Sequence, residues 1–273
     1  MRFEQIAVLD WSAAGAPKRG KDSIWLGVTN SDGTRTANIP TRVEAEKTLK
    51  NLFDRPTLIG IDFAFAPPRG LTERITGTQD PRALWAWVAD RVSDGARNQT
   101  NYRDAAAEMN RHFSDDGPFW GNGLKADIPD LPRKKPQLPE GLAEHRATDR
   151  IVQRDGFSPK PIWQLAGAGA VGAQSLTGMP MLHRLRAGGA AVWPFDPVGP
   201  VTMAEVYPSM LGHVIADQIG ITDEIQVRLL SQALWSLNTA GGLDALLAQG
   251  DPVEGTILGQ GASDRLVQAL RIE

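Results

Sequence analysis

The stretch Leu58-Ile59-Gly60-Ile61-Asp62 is an unbroken apolar run closed by an acid. Such a run, bounded by polar residues, reads as a strand buried on both faces. Upstream of it, residues 42–53 carry Val43, Ala45, Leu49, Leu52 and Phe53 on one side of a helical wheel and predict a helix. Further upstream lie three short strand patterns. Residues 5–9 (Q-I-A-V-L) run into Asp10-Trp11-Ser12, residues 24–28 read I-W-L-G-V, and residues 34–39 follow a Ser31-Asp32-Gly33 turn. A helix between the third strand and Leu58 makes a crossover, so the fourth strand must lie parallel to one of the first three.

This order, three antiparallel strands and then parallel ones, is how an RNase H-like α/β domain begins. In that fold the first and fourth strands are neighbours. Both of them here end in an aspartate, Asp10 and Asp62. The expected fold is therefore a mixed sheet flanked by helices.

At 273 residues the chain suits one domain with a large insertion better than two full domains. We place the core at residues 1–79 and 190–273, and a mainly helical, Pro-rich insertion at 80–189. In the insertion, Asp80-Pro81 looks like an N-cap with Pro at the first helical position, opening a helix through Leu84, Trp85 and Val88. A second helix is expected over 102–113, and the Pro-rich stretch 117–141 reads as a long irregular loop. After it, residues 190–193 and 201–206 are strand patterns, and helices are expected over 224–237, 243–248 and 262–270.

A net charge of −3 argues against coating nucleic acid by bulk electrostatics, while leaving a local groove open. The absence of cysteine removes thiol catalysis, disulfides and cysteine-ligated zinc. No apolar run approaches the roughly 20 residues of a membrane span, and residues 1–10 do not resemble a signal peptide. The expectation is a soluble, cytoplasmic protein without a membrane partner and of undetermined oligomeric state.

Two strand-terminal aspartates on adjacent parallel strands stand at the carboxyl edge of the sheet, where open α/β sheets bind ligands. Carboxylates this close repel unless a cation or proton joins them. Mg²⁺ or Mn²⁺ suits such an all-oxygen site, with waters and substrate phosphate completing the shell, and can activate water for phosphoryl transfer. Glu205, in Ala204-Glu205-Val206-Tyr207-Pro208, ends a later strand and is the candidate third ligand or water-orienting base. The competing reading is that Asp10 and Asp62 cap loops or pair with Lys18, Arg19 or Lys21, and that Glu205 is solvated.

The signatures V-L-D-W-S (8–12), I-G-I-D-F (59–63), A-E-V-Y-P-S (204–209) and E-G-T-I-L-G (254–259) resemble the bacterial family designated domain of unknown function 429. That family is predicted to be an RNase H-like nuclease. The resemblance covers both ends of the chain and implies that Asp10, Asp62 and Glu205 are its acidic residues. Many relatives carry a further aspartate in a late helix. Gln226 and Arg228 stand where that acid would fall here, which leaves Asp223 or Glu224 at the helix start as substitutes.

Other signals are secondary. Gly167-Ala168-Gly169-Ala170-Val171-Gly172 matches G-x-G-x-x-G letter for letter, but no convincing strand precedes it and no acid follows at the required distance. Gly167 and Gly169 are better read as opening a helix whose N-terminus can meet a phosphate, or one packed closely on a neighbour. The loop from Ser12 to Lys21, with Ser12, Lys18 and Lys21, suits a phosphate, and Trp11 suits either base stacking or the core. Tyr207 joins the expected substrate-binding residues. Arg133, Lys134 and Lys135 read as solvated loop charges, and the histidines show no metal spacing.

Three functions follow in order. The first is a metal-dependent phosphodiester hydrolase acting on nucleic acid. The second is a nucleotide-dependent phosphotransferase of the actin and sugar-kinase branch, which normally needs two such domains. The third is a non-catalytic binding protein that kept the fold.

Overall fold

A computed structural model describes residues 3–167 and 169–271. Its elements run β1 (Gln5–Asp10), β2 (Ile24–Asn30), β3 (Gly33–Ile39), α1 (Arg42–Lys50), β4 (Thr57–Asp62), α2 (Leu71–Thr76), α3 (Pro81–Arg91) and α4 (Tyr102–Asn110). Then follow α5 (Ala147–Arg154), α6 (Val171–Ala187), β5 (Ala191–Trp193), β6 (Val201–Glu205), a 3₁₀ turn (Pro208–Leu211), α7 (His213–Ala216), α8 (Thr222–Thr239), α9 (Leu243–Leu247) and α10 (Ser263–Ala269).

The strands form one mixed six-stranded sheet in the order β3-β2-β1-β4-β6-β5. β1–β2 and β2–β3 are antiparallel, whereas β1–β4, β4–β6 and β6–β5 are parallel. Burial explains the placement. β1 and β4 are apolar on both faces and sit centrally, whereas β3 (G-T-R-T-A-N-I) alternates exposed and half-buried positions and takes one edge.

Alternation along β1 and β4 feeds two apolar clusters, one per face. Ile6, Val8 and Leu58 pack with α8 residues such as Val227, Leu230 and Leu234. Ala7, Leu9, Ile59 and Ile61 pack with Leu49 of α1, Trp85 and Val88 of α3 and Leu182 of α6. The helices within residues 80–189 thus supply most of the layer on this second face. Each such fully buried side chain is worth roughly 1.5–3 kcal/mol of transfer free energy. On the first face α8 lies close against the sheet at Gly27, where a Cβ would come within 2.5 Å of the Val227 carbonyl oxygen.

The helix expected over 42–53 ends at Lys50. Leu52 and Phe53 donate to the carbonyls of Leu49 and Lys50, so the chain finishes in tighter turns. The helix expected over 102–113 stops at Asn110 in the same way, His112 and Phe113 donating to the carbonyls of Met109 and Asn110, while the Asn110 amide bonds Phe119 and Asp130 across the following loop. Asp80 caps α3 by accepting from the Arg82 N–H, with Pro81 in the first turn, as its sequence implies. Three helices have no clear sequence signal: α2 and α7 are short, and α5 starts after Arg146 rather than after a Ser, Thr, Asp or Asn. Among the described residues no helix is long and apolar enough to cross a membrane.

Candidate active site

The parallel register of β1 and β4 pairs Asp10 directly with Asp62. Residues 6, 8 and 10 of β1 and 58, 60 and 62 of β4 share a face, so both carboxylates stand abreast on the α8 side of the sheet's carboxyl edge. They line a cleft of about 640 Å³, together with Asp22, Glu205 and Asp223. Each is only partly exposed, and that exposure faces the cleft. Among the described residues neither carboxylate receives a hydrogen bond or an ion pair. Lys18 pairs instead with Asp22 at 3.4 Å and Arg19 donates to the Asn38 carbonyl.

Burial without a donor has the expected electrostatic result. Desolvation, followed by repulsion from Asp62, Asp223 and Asp22, raises Asp10 well above the ordinary carboxylate range. Desolvation, followed by repulsion from Glu205 and Asp223, pushes Asp62 from its ordinary 3.8 up to about 7. Two adjacent carboxyls of this kind titrate as a pair, retaining a proton unless a cation takes its place.

A third acid comes from the start of α8, as one of the two substitutes offered by the sequence. Asp223, in the first turn of α8, lines the cleft and accepts from the Asp22 backbone N–H at 2.6 Å. Burial raises it as well. Its neighbour Glu224 accepts from the Thr36 hydroxyl on β3 instead, so of the two substitutes only Asp223 faces Asp10 and Asp62.

Glu205 sits differently from the sequence reading. Its register partner is Ile61, so alternation sends its side chain to the opposite face from Asp62. There both oxygens are taken: Arg146 donates to Oε1 at 2.6 Å and Oε2 at 2.7 Å, and the Phe65 N–H donates to Oε2 at 3.0 Å. Arg146 also donates to Asp149 at 2.8 and 3.1 Å and to the Glu254 carbonyl, which uses all five of its N–H groups. Glu254 in turn accepts from the N–H groups of Arg69 and Ala147, and the Leu258 N–H donates to the Glu205 carbonyl. The segment 254–259 is thereby tied to the end of β6, and all four signature motifs meet at one sheet edge. Arg146 and Asp149 gave no sequence signal, because α5 itself was not legible.

The other sequence candidates divide. Ser12, Gly167, Gly169 and Tyr207 line the cleft, whereas Lys18 and Lys21 do not. Ser12 is held by its loop: its hydroxyl accepts from the Ala14 N–H, and Arg42 donates to the carbonyls of both residues while pairing with Asp94 at 2.6 Å. Burial, reinforced by nearby Asp62, pushes the Tyr207 phenol up. Trp11 is 1% exposed, with its indole N–H donating to Thr177 and its ring against Phe63. It belongs to the core and offers no face to a base. The stretch 167–172 opens α6 after irregular chain, not after a strand, and Ala168 lies outside the described residues. Gly172 is required by packing, since a Cβ would fall 2.1 Å from the Ile162 carbonyl oxygen.

Comparisons with known protein families, with curated proteins and with solved structures found no match for this chain. What the site can do is therefore read from its geometry. Paired, donor-free carboxylates suit a hard divalent cation, which binds through one or two carboxylates plus waters and phosphate oxygens. Among the described residues no three His, Asp or Glu side chains are already gathered around one ion position.

Proposed function

We propose that the protein is a metal-dependent phosphodiester hydrolase of RNase H-like type. The observation that carries this reading is the Asp10–Asp62 pair, aligned in register on central strands, facing a cleft and without a donor among the described residues. Asp10 and Asp62 would hold Mg²⁺ or Mn²⁺, with Asp223 able to contribute directly or through water. When bound, the ion would supply activation of water and neutralisation of phosphoryl charge.

The chain's own groups take the remaining tasks. Arg146 holds Glu205 at the cleft wall and keeps the end of β6 fixed, while Glu205 Oε1 accepts a single hydrogen bond and retains a lone pair. Arg42 fixes the Ser12–Ala14 loop at the cleft mouth. Tyr207, kept protonated by burial and by Asp62, is available to donate its O–H to a substrate oxygen. The phosphotransferase reading is weaker, because the described residues hold one sheet rather than two facing domains.

The test is a thermal-melt titration with Mn²⁺ and Mg²⁺ on wild type, Asp10→Asn and Asp62→Asn. An ion bound only by the folded state stabilises it by roughly 3 kcal/mol at a hundredfold excess over its Kd. A shift in wild type that is lost in both variants supports the reading, and phosphodiester hydrolysis should then show the same dependence. No shift, with or without a phosphodiester present, would overturn it in favour of a non-catalytic binding protein.

A further inference from the structure

The acids of the cleft have cationic counterparts. Arg103, Arg146 and Lys160 are the cationic side chains lining it among the described residues. Arg146 is saturated by Glu205 and Asp149, so it has nothing to offer a ligand. Arg103 is different. Its Nε is buried with no hydrogen-bond partner, and among the described residues no carboxylate pairs with its guanidinium. Elsewhere Arg42, Arg69, Arg133 and Arg184 all hold carboxylates. What fixes Arg103 is the ring of buried Tyr102, which its guanidinium carbon overlies at 4.5 Å. Such stacking occupies one face of the guanidinium and leaves its N–H edge free, the edge that recognises phosphate. Lys160 also lines the cleft without an ion pair, its stem packed at 3.3 Å from where a Cβ of Gly169 would stand.

We infer that Arg103 and Lys160 form a phosphate-binding wall in the same cleft as the aspartates, and that the substrate is a short single-stranded phosphodiester rather than a duplex. This inference rests on the hydrolase reading for the identity of the carboxylate floor. Acids and unpaired cations lining one cleft suit a ligand with two adjacent phosphates, one at the acids with an ion and one at the cations. A cleft of about 640 Å³ falls within the roughly 300–1,000 Å³ typical of small-ligand sites. Duplex binders instead present an extended basic surface to a charge every ~1.7 Å of helix axis. Two free cations on a chain of net charge −3 do not make one.

The probe is fluorescein-labelled tetrathymidylate, followed by anisotropy in Mn²⁺ and again in EDTA, with unlabelled blunt duplex as competitor. Wild type should bind the probe, and duplex should compete poorly. Arg103→Met keeps a stem over Tyr102 but removes the charge, and should weaken binding about tenfold, the worth of one charge-assisted hydrogen bond. Its log–log salt slope should fall by about 0.7, the mark of one lost phosphate contact on a single strand. Arg103→Lys should recover part of the affinity, and Lys160→Gln should lose several-fold. All three variants should keep the wild-type Mn²⁺ melting shift. Unchanged affinity and salt slope in Arg103→Met, equal competition by duplex, or no binding to wild type in either medium would each overturn the inference. If the Mn²⁺ shift is missing while Arg103-dependent binding persists, the hydrolase reading falls and the phosphate wall stands.

Discussion

Replacing Asp62 by Asn should make the metal-free protein more stable near neutral pH, which is the reverse of what loss of a structural carboxylate does. In the unfolded chain Asp62 ionises near 3.9, whereas in the fold it is pushed up to about 7. Below both values the two states carry the proton equally. Between them the native state binds more protons than the unfolded one, so stability falls as pH rises and reaches its floor above about 7. At about 1.4 kcal/mol per pH unit the penalty has a ceiling of about 4 kcal/mol. Cleft water in contact with a partly exposed carboxyl reduces this to about 2 kcal/mol. The assay is urea unfolding of wild type and Asp62→Asn in EDTA, at about pH 5 and about pH 8. Wild type should lose about 1 kcal/mol more than the variant across that interval, the rest of the penalty being already present at about pH 5, and saturating Mn²⁺ at the higher pH should restore it to wild type alone. Parallel pH profiles for the two proteins would refute the claim that the carboxylates are strained against each other.

Arg146→Met leaves Glu205 and Asp149 buried without their cation and should cost about 3–5 kcal/mol in urea unfolding. Adding Glu205→Gln to it should recover part of that loss, which a purely steric effect of Met would not show. Gly27→Ala pushes a Cβ against the Val227 backbone of α8 and should destabilise by about 1–3 kcal/mol in the same assay. Trp11→Phe removes the hydrogen bond to Thr177 and should cost about 1 kcal/mol. It should leave tetrathymidylate affinity unchanged, and a loss of affinity would return Trp11 to the site.

Legibility followed sequence locality. The central strands were readable because β1 and β4 are buried on both faces and each ends at an acid, so neither their period nor their limits were ambiguous. The crossover through α1 made β4 parallel to one of the first three strands, the expected RNase H-like order set it beside β1, and the Asp10–Asp62 register then needed only the strand ends to be level. The α8 start was readable as a cap region with two acids, yet which of them faces the cleft depends on helix phase against the sheet, set by close packing at Gly27. Arg146 was unreadable for a different reason. Its helix opens on an arginine whose partners lie at positions 149, 205 and 254, and no local pattern announces a charge matched over that separation.

The case of Glu205 shows why an acid at a strand end is weaker evidence than an acid in register with another. Asp62 and Glu205 both close strands at the same sheet edge, but they are one residue out of level: Glu205 pairs with Ile61, not with Asp62. With a side-chain period of two, that single step decides which face a carboxylate meets. On one face it meets Arg146 and becomes half of a buried ion pair. On the other, Asp10 and Asp62 meet each other and Asp223, and among the described residues no cation pairs with Asp10 or Asp62. The unpaired carboxylates, on which the proposed ion site rests, therefore belong to the face on which α8 begins.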